Sequence, residues 1–106
     1  CKLYREAKHL IDIGYNSQEI SIQEIADKLG VHRSYLSSIF KDFHKISPKE
    51  YLLEVRMNRA KELLKTTNQP IKIIAYSVGY LDPLHFSKAF RQYYDCSPSQ
   101  YRTSKQ

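Results

Sequence analysis

Apolar residues recur along this chain at the three- and four-residue spacing of amphipathic helices. No stretch alternates apolar and polar residues over a useful length, and no Asn-Gly or Asp-Gly pair signals a hairpin. The pattern therefore predicts an all-α chain. The inward-facing positions of its predicted helices are Leu3, Ala7, Leu10 and Ile11; Ile22, Ile25, Ala26 and Leu29; Leu36, Ile39, Phe40 and Phe43; Tyr51, Leu52, Val55, Ala60, Leu63 and Leu64; Ile71, Ile74, Ala75 and Val78; and Phe86, Ala89, Phe90 and Tyr93.

Local signals mark where these helices begin and end. Ser21 followed by Glu24 is the pattern of a capping box, an arrangement in which each side chain accepts a hydrogen bond from the other residue's backbone amide. A cap residue followed by proline is also typical of a helix start, because the missing N–H would have no partner there. Three such pairs are Ser47-Pro48, Asp82-Pro83 and Ser97-Pro98. The longest predicted helix covers residues 48–66, and the next begins at Pro70.

Part of the sequence occurs twice. The phrases ISPKEY and CSPSQY lie fifty positions apart, and residues 21–51 align with residues 70–101 with one inserted residue near Leu81. The alignment pairs Ile22, Ile25, Ala26, Gly30, Ser37, Phe40, Ser47, Pro48 and Tyr51 with Ile71, Ile74, Ala75, Gly79, Ser87, Phe90, Ser97, Pro98 and Tyr101. An internal duplication of this length predicts one domain with two similar halves.

Each half has the layout of a helix-turn-helix unit: a short helix, a turn containing glycine and a longer second helix. Both carry a small alanine in the first helix, glycine in the turn and an apolar residue in the second helix. These residues are Ala26, Gly30 and Leu36 in one half and Ala75, Gly79 and Phe86 in the other. We therefore predict two helix-turn-helix subdomains, at residues 1–47 and 67–106, joined by a long linker helix at 48–66.

The second helix of each unit has a polar side facing away from its apolar stripe. Small hydroxyls and cations on a protruding helix suit base edges and phosphates in the major groove of DNA. The other interpretation is two solvated surface helices, but two matching helices in one basic chain favour DNA. The two faces consist of Ser34, Ser37, Ser38 and Lys41, and of Leu84, Ser87, Lys88 and Arg91. A linker of about 18 residues spans roughly 27 Å, which allows these helices to lie about 34 Å apart, in successive grooves.

Net charge and composition limit the candidate partners. The chain has 106 residues and a net charge of +6, and residues 31–106 hold thirteen basic and six acidic residues. Such a surface suits a polyanion or an anionic membrane, although charge alone is equally consistent with a coat that keeps the protein soluble. With no run of 18 apolar residues and no signal peptide, we expect a cytoplasmic protein that does not span a membrane.

The sequence offers little for catalysis or metal binding. The four histidines are scattered and lack the spacing of metal ligands, and Cys1 and Cys96 form no framework. No nucleophile–base pair, carboxylate pair or phosphate-binding glycine loop has usable spacing. We therefore expect no enzyme activity, no cofactor and no metal.

Two stretches, IADKLGVHRSYLSSIFKDFHKISPKEYLLEVRMNRAKELL and VGYLDPLHFSKAFRQYYDCSPSQYR, resemble the DNA-binding domain of the AraC/XylS family of bacterial transcription regulators over residues 7–102. The resemblance implies seven helices, two helix-turn-helix units with a connecting helix, and binding to double-stranded operator DNA that activates or represses transcription. By this resemblance, the base-reading positions are Ser34, Ser37 and Ser38 in the first unit and Leu84, His85, Ser87 and Lys88 in the second, with phosphate contacts expected at Arg33, Lys41 and Arg91.

Four residues depart from the family pattern. His32 replaces the usual serine or asparagine cap, and Lys45 and Asp95 replace the usual glycine after each recognition helix. Leu84 has no hydrogen-bonding capacity and can contact only a thymine methyl group or fill space. The serine-rich second helix of the first unit and the apolar Leu84 together indicate modest direct readout of bases, with phosphate contacts and DNA shape contributing more.

The resemblance also implies partners beyond DNA. We expect an effector ligand, bound by a domain outside this chain, with RNA polymerase as a candidate second protein partner and a sugar-utilisation operon as the candidate target. The alternative is a helical interaction module whose basic face docks acidic partners in the transcription machinery without reading DNA.

Overall fold

The structure, a computed structural model, describes residues 2–104, and within that range it contains seven α-helices and no strand. The predicted all-α fold is therefore confirmed. The helices are α1 (Lys2–Gly14), α2 (Ile22–Leu29), α3 (Arg33–His44), α4 (Pro48–Thr66), α5 (Ile71–Ser77), α6 (Pro83–Tyr94) and α7 (Pro98–Ser104).

The chain divides into two compact units, Cys1–Val55 and Arg56–Gln106. The first unit contains α1, α2, α3 and the beginning of α4, and the second contains the rest of α4 with α5, α6 and α7. Helix α4 therefore supplies buried residues to both units in addition to connecting them.

The core of the first unit is a continuous apolar cluster. Helix α1 packs against both α2 and α3, and its two fully buried residues, Ala7 and Ile11, lie one turn apart on the same face. The buried members of the cluster are Ala7, Ile11, Ile22, Ile25, Ala26, Leu36, Phe40, Tyr51 and Leu52.

The second unit has a buried set of similar composition. The later part of α4 contributes Ala60 and Leu64, which have the same spacing as Ala7 and Ile11 in α1. The buried side chains of this unit are those of Met57, Ala60, Leu64, Ile74, Ala75, Val78, Phe86, Phe90 and Tyr101, together with Pro98.

Two aromatic residues predicted to face inward are instead among the exposed residues of their helices. Phe43 in α3 is 53% exposed and Tyr93 in α6 is 40% exposed. The inward row runs from Phe40 to His44 and from Phe90 to Tyr94, because residues four apart on these helices continue the buried face more closely than residues three apart. The prediction was wrong at both positions, and they are equivalent in the two units.

Smaller differences concern α4 and α5. Leu63 is only half-buried, whereas Met57, which the apolar pattern did not single out, is completely buried. Helix α5 begins at Ile71, with Pro70 as the residue before its first turn. Among the cysteines, Cys96 is half-buried and has no disulfide partner within the described residues, and Cys1 lies outside those residues.

Candidate nucleic-acid interface

The turn between α2 and α3 is closed by two hydrogen bonds. Gly30 adopts a left-handed backbone with φ of 71° and donates its amide to the carbonyl of Asp27 at 3.2 Å. Val31 donates to the carbonyl of Ala26 at 3.0 Å. A β-carbon at Gly30 would meet no atom within 4 Å, so glycine is favoured here by its backbone conformation and not by lack of space.

The second unit repeats this turn bond for bond. Gly79 has φ of 97° and donates to Tyr76 at 3.2 Å, and Tyr80 donates to the carbonyl of Ala75 at 3.0 Å. The two predicted helix-turn-helix turns therefore have the same backbone hydrogen bonds, with the glycine in the same place.

Helix α3 separates a buried side from an exposed side. Leu36 and Phe40 are fully buried, which fixes the rotation of the helix on the first unit. Of the predicted contact residues, Ser37 is half-buried and the others are exposed: Arg33, Ser34, Ser38 and Lys41. None of these five side chains hydrogen-bonds to another residue in the range 2–104, so their polar groups are available to a ligand.

Helix α6 is arranged in the same way. Phe86 and Phe90 are fully buried on the core side. Ser87, like Ser37, is half-buried, and the remaining predicted contact residues are exposed: Leu84, His85, Lys88 and Arg91. The structure therefore places the predicted residues of each unit on the accessible side of one helix, and in α6 the cations are Lys88, near the middle, and Arg91, in the last turn.

The start of each recognition helix differs between the units. Asp82 accepts a hydrogen bond from the amide of Leu84 at 2.9 Å, and Pro83 occupies the first helical position. His32 makes no side-chain hydrogen bond as the cap of α3, although its backbone is extended as a cap requires. The side-chain cap that Asp82 provides for α6 therefore has no equivalent at the start of α3.

The end of each recognition helix is the same in both units. Lys45 and Asp95 have left-handed backbones, with φ of 72° and 63°, and each donates its amide to the carbonyl four residues earlier at 2.8 Å. These two residues adopt the left-handed conformation that the usual glycine would have at this position. The turn is tolerated more easily by Asp95 than by Lys45.

A capping box follows each of these turns. Ser47 accepts from the amide of Glu50 at 3.1 Å and donates its own amide to the Glu50 side chain at 3.2 Å. Ser97 and Gln100 form the same pair, at 3.1 Å and 2.9 Å. These hydrogen bonds hold the pKa of Glu50 below its usual value, with a smaller contribution from the charge of Lys41.

Helix α3 is anchored at its end by contacts that the sequence pattern did not reveal. The hydroxyl of Tyr4 and Nδ1 of His44 share a hydrogen bond of 2.8 Å, and the His44 ring meets the Tyr51 ring edge-on at 4.7 Å. The Tyr51 hydroxyl donates to the carboxylate of Asp12. His44 therefore fixes the recognition helix against α1 and α4 and takes no part in the exposed face.

The two arginines of α4 have different surroundings. The guanidinium of Arg56 lies 5.4 Å from the centre of the Tyr80 ring, and burial lowers the pKa of Arg56 and raises the pKa of Tyr80. Arg59 pairs with Glu62 at 3.1 Å in an exposed position. Arg59 is therefore paired with a carboxylate of its own helix, whereas Arg56 packs over an aromatic ring.

Two structural features were not found between residues 2 and 104: a metal-binding cluster and a membrane-spanning helix. Among residues 2–104, no three histidine, cysteine or carboxylate side chains gather in a way that could hold a metal ion. In the same part of the chain, no helix has both the length and the apolar character needed to cross a membrane.

Each unit thus has a short helix, a turn containing glycine and a second helix with an exposed polar side, which is the arrangement of a helix-turn-helix protein. Comparison with known sequences agrees, since residues 25–104 match a family described as "Helix-turn-helix domain". The chain is 43% identical over 97 residues to the Msm operon regulatory protein of Streptococcus mutans, and the match covers 92% of this chain and 34% of that protein. It is 40% identical over 99 residues to the lactose operon transcription activator of Staphylococcus xylosus, covering 92% and 36%.

A solved structure is similar over almost the whole chain. The C-terminal domain of AraT, a response regulator from Geobacillus stearothermophilus, superposes with a TM-score of 0.95 at 35% identity, covering 98% of this chain and 86% of that one. The chain therefore belongs to the AraC-type helix-turn-helix family, the DNA-binding domains of transcription regulators. It spans about a third of the length of the two operon regulators it matches.

Proposed function

We propose that this chain binds double-stranded operator DNA in a sequence-specific way, with α3 and α6 each lying in a major groove. The observation that supports this most directly is the repetition of one exposed helical face in two units whose turns, left-handed residues and capping boxes match. Solvation of a helix face does not require two units to match in this way. Recognition of DNA does require it, because the side chains of a recognition helix must meet bases at defined positions.

The residues of each face have separate parts in this proposal. Ser34, Ser37 and Ser38 on α3 approach base edges, as do Leu84, His85, Ser87 and Lys88 on α6. Arg33, Lys41 and Arg91 contact phosphates, which positions each helix and contributes affinity that is independent of sequence. Lys88 is the strongest candidate for discrimination, since its ammonium group can address the acceptor atoms of guanine in the major groove.

The proposal extends to the whole regulator. The regulators it resembles bear names that refer to operon control, in one case of a lactose operon. We propose that this chain works in the cytoplasm as the DNA-binding part of a regulator of a sugar-utilisation operon, acting as an activator through contact with RNA polymerase. An effector ligand would bind elsewhere in the regulator, and this chain would act by binding and not by catalysis.

A binding experiment with two matched variants tests the DNA proposal. Duplexes selected from a random pool provide the ligand, and fluorescence anisotropy measures affinity as salt is varied. The wild-type chain should lose affinity linearly on a log–log plot of affinity against salt. Lys88→Ala should lose roughly tenfold for the selected site and tolerate substitution at one base pair. Arg91→Ala should weaken all duplexes about equally and reduce the salt slope by about one.

Lys65→Ala is the charge-matched control, because Lys65 is exposed on α4 outside both faces. It should retain the wild-type preference for the selected site. If no duplex binds at low salt, the proposal fails and a protein-docking module becomes the better interpretation. If Lys88→Ala and Arg91→Ala have equal effects on every duplex, the reading face has been misplaced.

A further inference from the structure

The two most exposed large apolar side chains in the described part of the chain lie at the start of α6. Leu84 is 78% exposed and Leu81 is 70% exposed. Leu84 is the second residue of the helix, and its amide is held by the Asp82 cap at 2.9 Å. Its position is therefore fixed at the end of the recognition helix that contacts base edges in helix-turn-helix complexes.

A leucine side chain can recognise only one feature of a base pair in the major groove. It carries no donor and no acceptor, so it cannot read the hydrogen-bonding atoms of guanine, cytosine or adenine. Thymine alone presents an apolar group there, the methyl on C5. We propose that Leu84 reads the methyl group of a thymine in the half-site bound by α6. This inference rests on the proposed function, since it requires α6 to lie in the groove.

The neighbouring residues predict where that thymine lies. Lys88 follows Leu84 by four residues, on the same face and about 6 Å further along the helix axis. One base-pair step is about 3.4 Å. The thymine should therefore stand within about two base pairs of the position that Lys88→Ala makes tolerant.

The first unit provides an internal contrast. The residue fifty positions before Leu84 is Ser34, which is exposed in the same place on α3. A serine hydroxyl can hydrogen-bond to either base of a pair and has little to gain from a methyl group. Sensitivity to thymine methyl groups should therefore be concentrated in the half-site of α6.

Replacing thymine by uracil tests this directly, because uracil lacks only the methyl group. Each thymine of the selected duplex is replaced in turn, and affinity is measured for the wild type, Leu84→Ala and Leu81→Ala. The wild type should lose about fourfold at one thymine in the α6 half-site, as expected for one buried methyl group. Leu84→Ala should bind both duplexes equally, whereas Leu81→Ala, an equally apolar change outside the helix, should retain the wild-type preference.

Three outcomes would overturn the inference: a wild-type chain indifferent to uracil throughout the α6 half-site, a Leu84→Ala variant that still prefers thymine, or a Leu81→Ala variant that loses the preference. Each leaves duplex binding itself intact. Failure of the proposed function is different, because the wild type would then show no preference for any selected duplex. Leu84→Ala should also retain the helical content of the wild type, since an exposed alanine favours a helix.

Discussion

The two helix-turn-helix units share a backbone arrangement, but different side-chain contacts stabilise it in each unit. From Leu36 to Tyr51 and from Phe86 to Tyr101, buried, half-buried and exposed positions follow the same order, residue for residue. The turn glycines, the left-handed residues and the capping boxes also coincide. Both copies thus have the same backbone geometry and the same pattern of burial. These two features fix the direction of each recognition helix.

One difference lies immediately after the shared tyrosine, Tyr51 in the first unit and Tyr101 in the second. In the first unit that position is Leu52, an apolar residue of the core. In the second it is Arg102, whose guanidinium donates to three carbonyls: Leu64 at 3.3 Å, Thr67 at 3.2 Å and Gln69 at 2.7 Å. These carbonyls belong to the end of α4 and the following turn, where helical partners run out.

A second difference concerns the residue that ends each recognition helix. His44 bonds to Tyr4 of α1, whereas Tyr94 donates to Asn58 of α4 at 3.1 Å and lies under the ammonium group of Lys61 at 5.4 Å. The same position is thus held by different partners in the two units. The backbone arrangement of each unit therefore depends on its caps and buried positions, while the contacts that hold the recognition helix in place differ between the units.

The largest effect on stability is expected from removing the guanidinium of Arg102, which only the second unit has at this position. Arg102→Ala should lower the free energy of unfolding by about 2 kcal/mol, because three carbonyls lose a charged donor. Arg102→Lys should recover little, since an ammonium group cannot reach three acceptors in a fixed plane. Urea denaturation measures both. Arg59→Ala, which removes an exposed arginine paired only with Glu62, should cost no more than about 1 kcal/mol. Equal losses from Arg102→Ala and Arg59→Ala would show that the three hydrogen bonds are not structurally important.

Much of the fold could be predicted because its signals are local. Gly30, Pro48 and Pro83 act on the backbone of their own turns, and the boundaries they predicted agree with the structure. The exposed faces of α3 and α6 were predictable for a related reason. Helical spacing alone places Ser34 and Lys88 opposite buried residues, although their contacts with DNA stay predictions.

The remaining features depend on residues far apart in the chain. Nothing near Arg102 indicates that it reaches the end of α4, and nothing near His44 indicates Tyr4. Phe43 was expected inside because it is apolar, but its ring is 53% exposed and stacks on Tyr4 at 5.4 Å. Such contacts follow from how helices pack, which sequence periodicity does not specify.

Alkaline titration tests the contact between α1 and α4 in the first unit. Burial, followed by the hydrogen bond to Asp12 and its charge, raises the pKa of Tyr51 to about 12, with Lys8 opposing. Because this pKa exceeds the ordinary value of 10.0, Tyr51 stabilises the fold below pH 10 and loses that contribution as the pH rises towards 12. Tyr51→Phe should cost about 1 kcal/mol at neutral pH, through the lost hydrogen bond, and should flatten the decline in stability above pH 10.

The equivalent residue of the second unit is the control for this measurement. Burial also raises the pKa of Tyr101, but its ring packs against Phe90 and Tyr94 with no neighbouring carboxylate like Asp12 among the contacts described. Tyr101→Phe should flatten the alkaline decline less than Tyr51→Phe does. An unchanged alkaline profile in Tyr51→Phe, followed by denaturation at increasing pH, would contradict this account of the first unit.

The smallest expected effect is a difference between the two capping boxes in how they contribute to stability at acid pH. Glu50 closes the first box and Gln100 the second, with the same backbone hydrogen bonds, but only Glu50 titrates. Its pKa is lowered from about 4.5, chiefly by the Ser47 amide. Its contribution is therefore present above about pH 4.5 and is lost as the pH falls through the lower folded value.

Glu50→Gln gives the first unit the box of the second, and Gln100→Glu makes the reciprocal exchange. The amide oxygen of glutamine can still accept from Ser47, so Glu50→Gln should keep the box while moving the midpoint of acid unfolding to slightly lower pH. Gln100→Glu should move it to slightly higher pH, because stability gained near neutrality from a negative charge in the first turn of α7 disappears on protonation. Shifts in the same direction, measured by circular dichroism during acid titration, would mean that the boxes differ in more than the charge of one side chain.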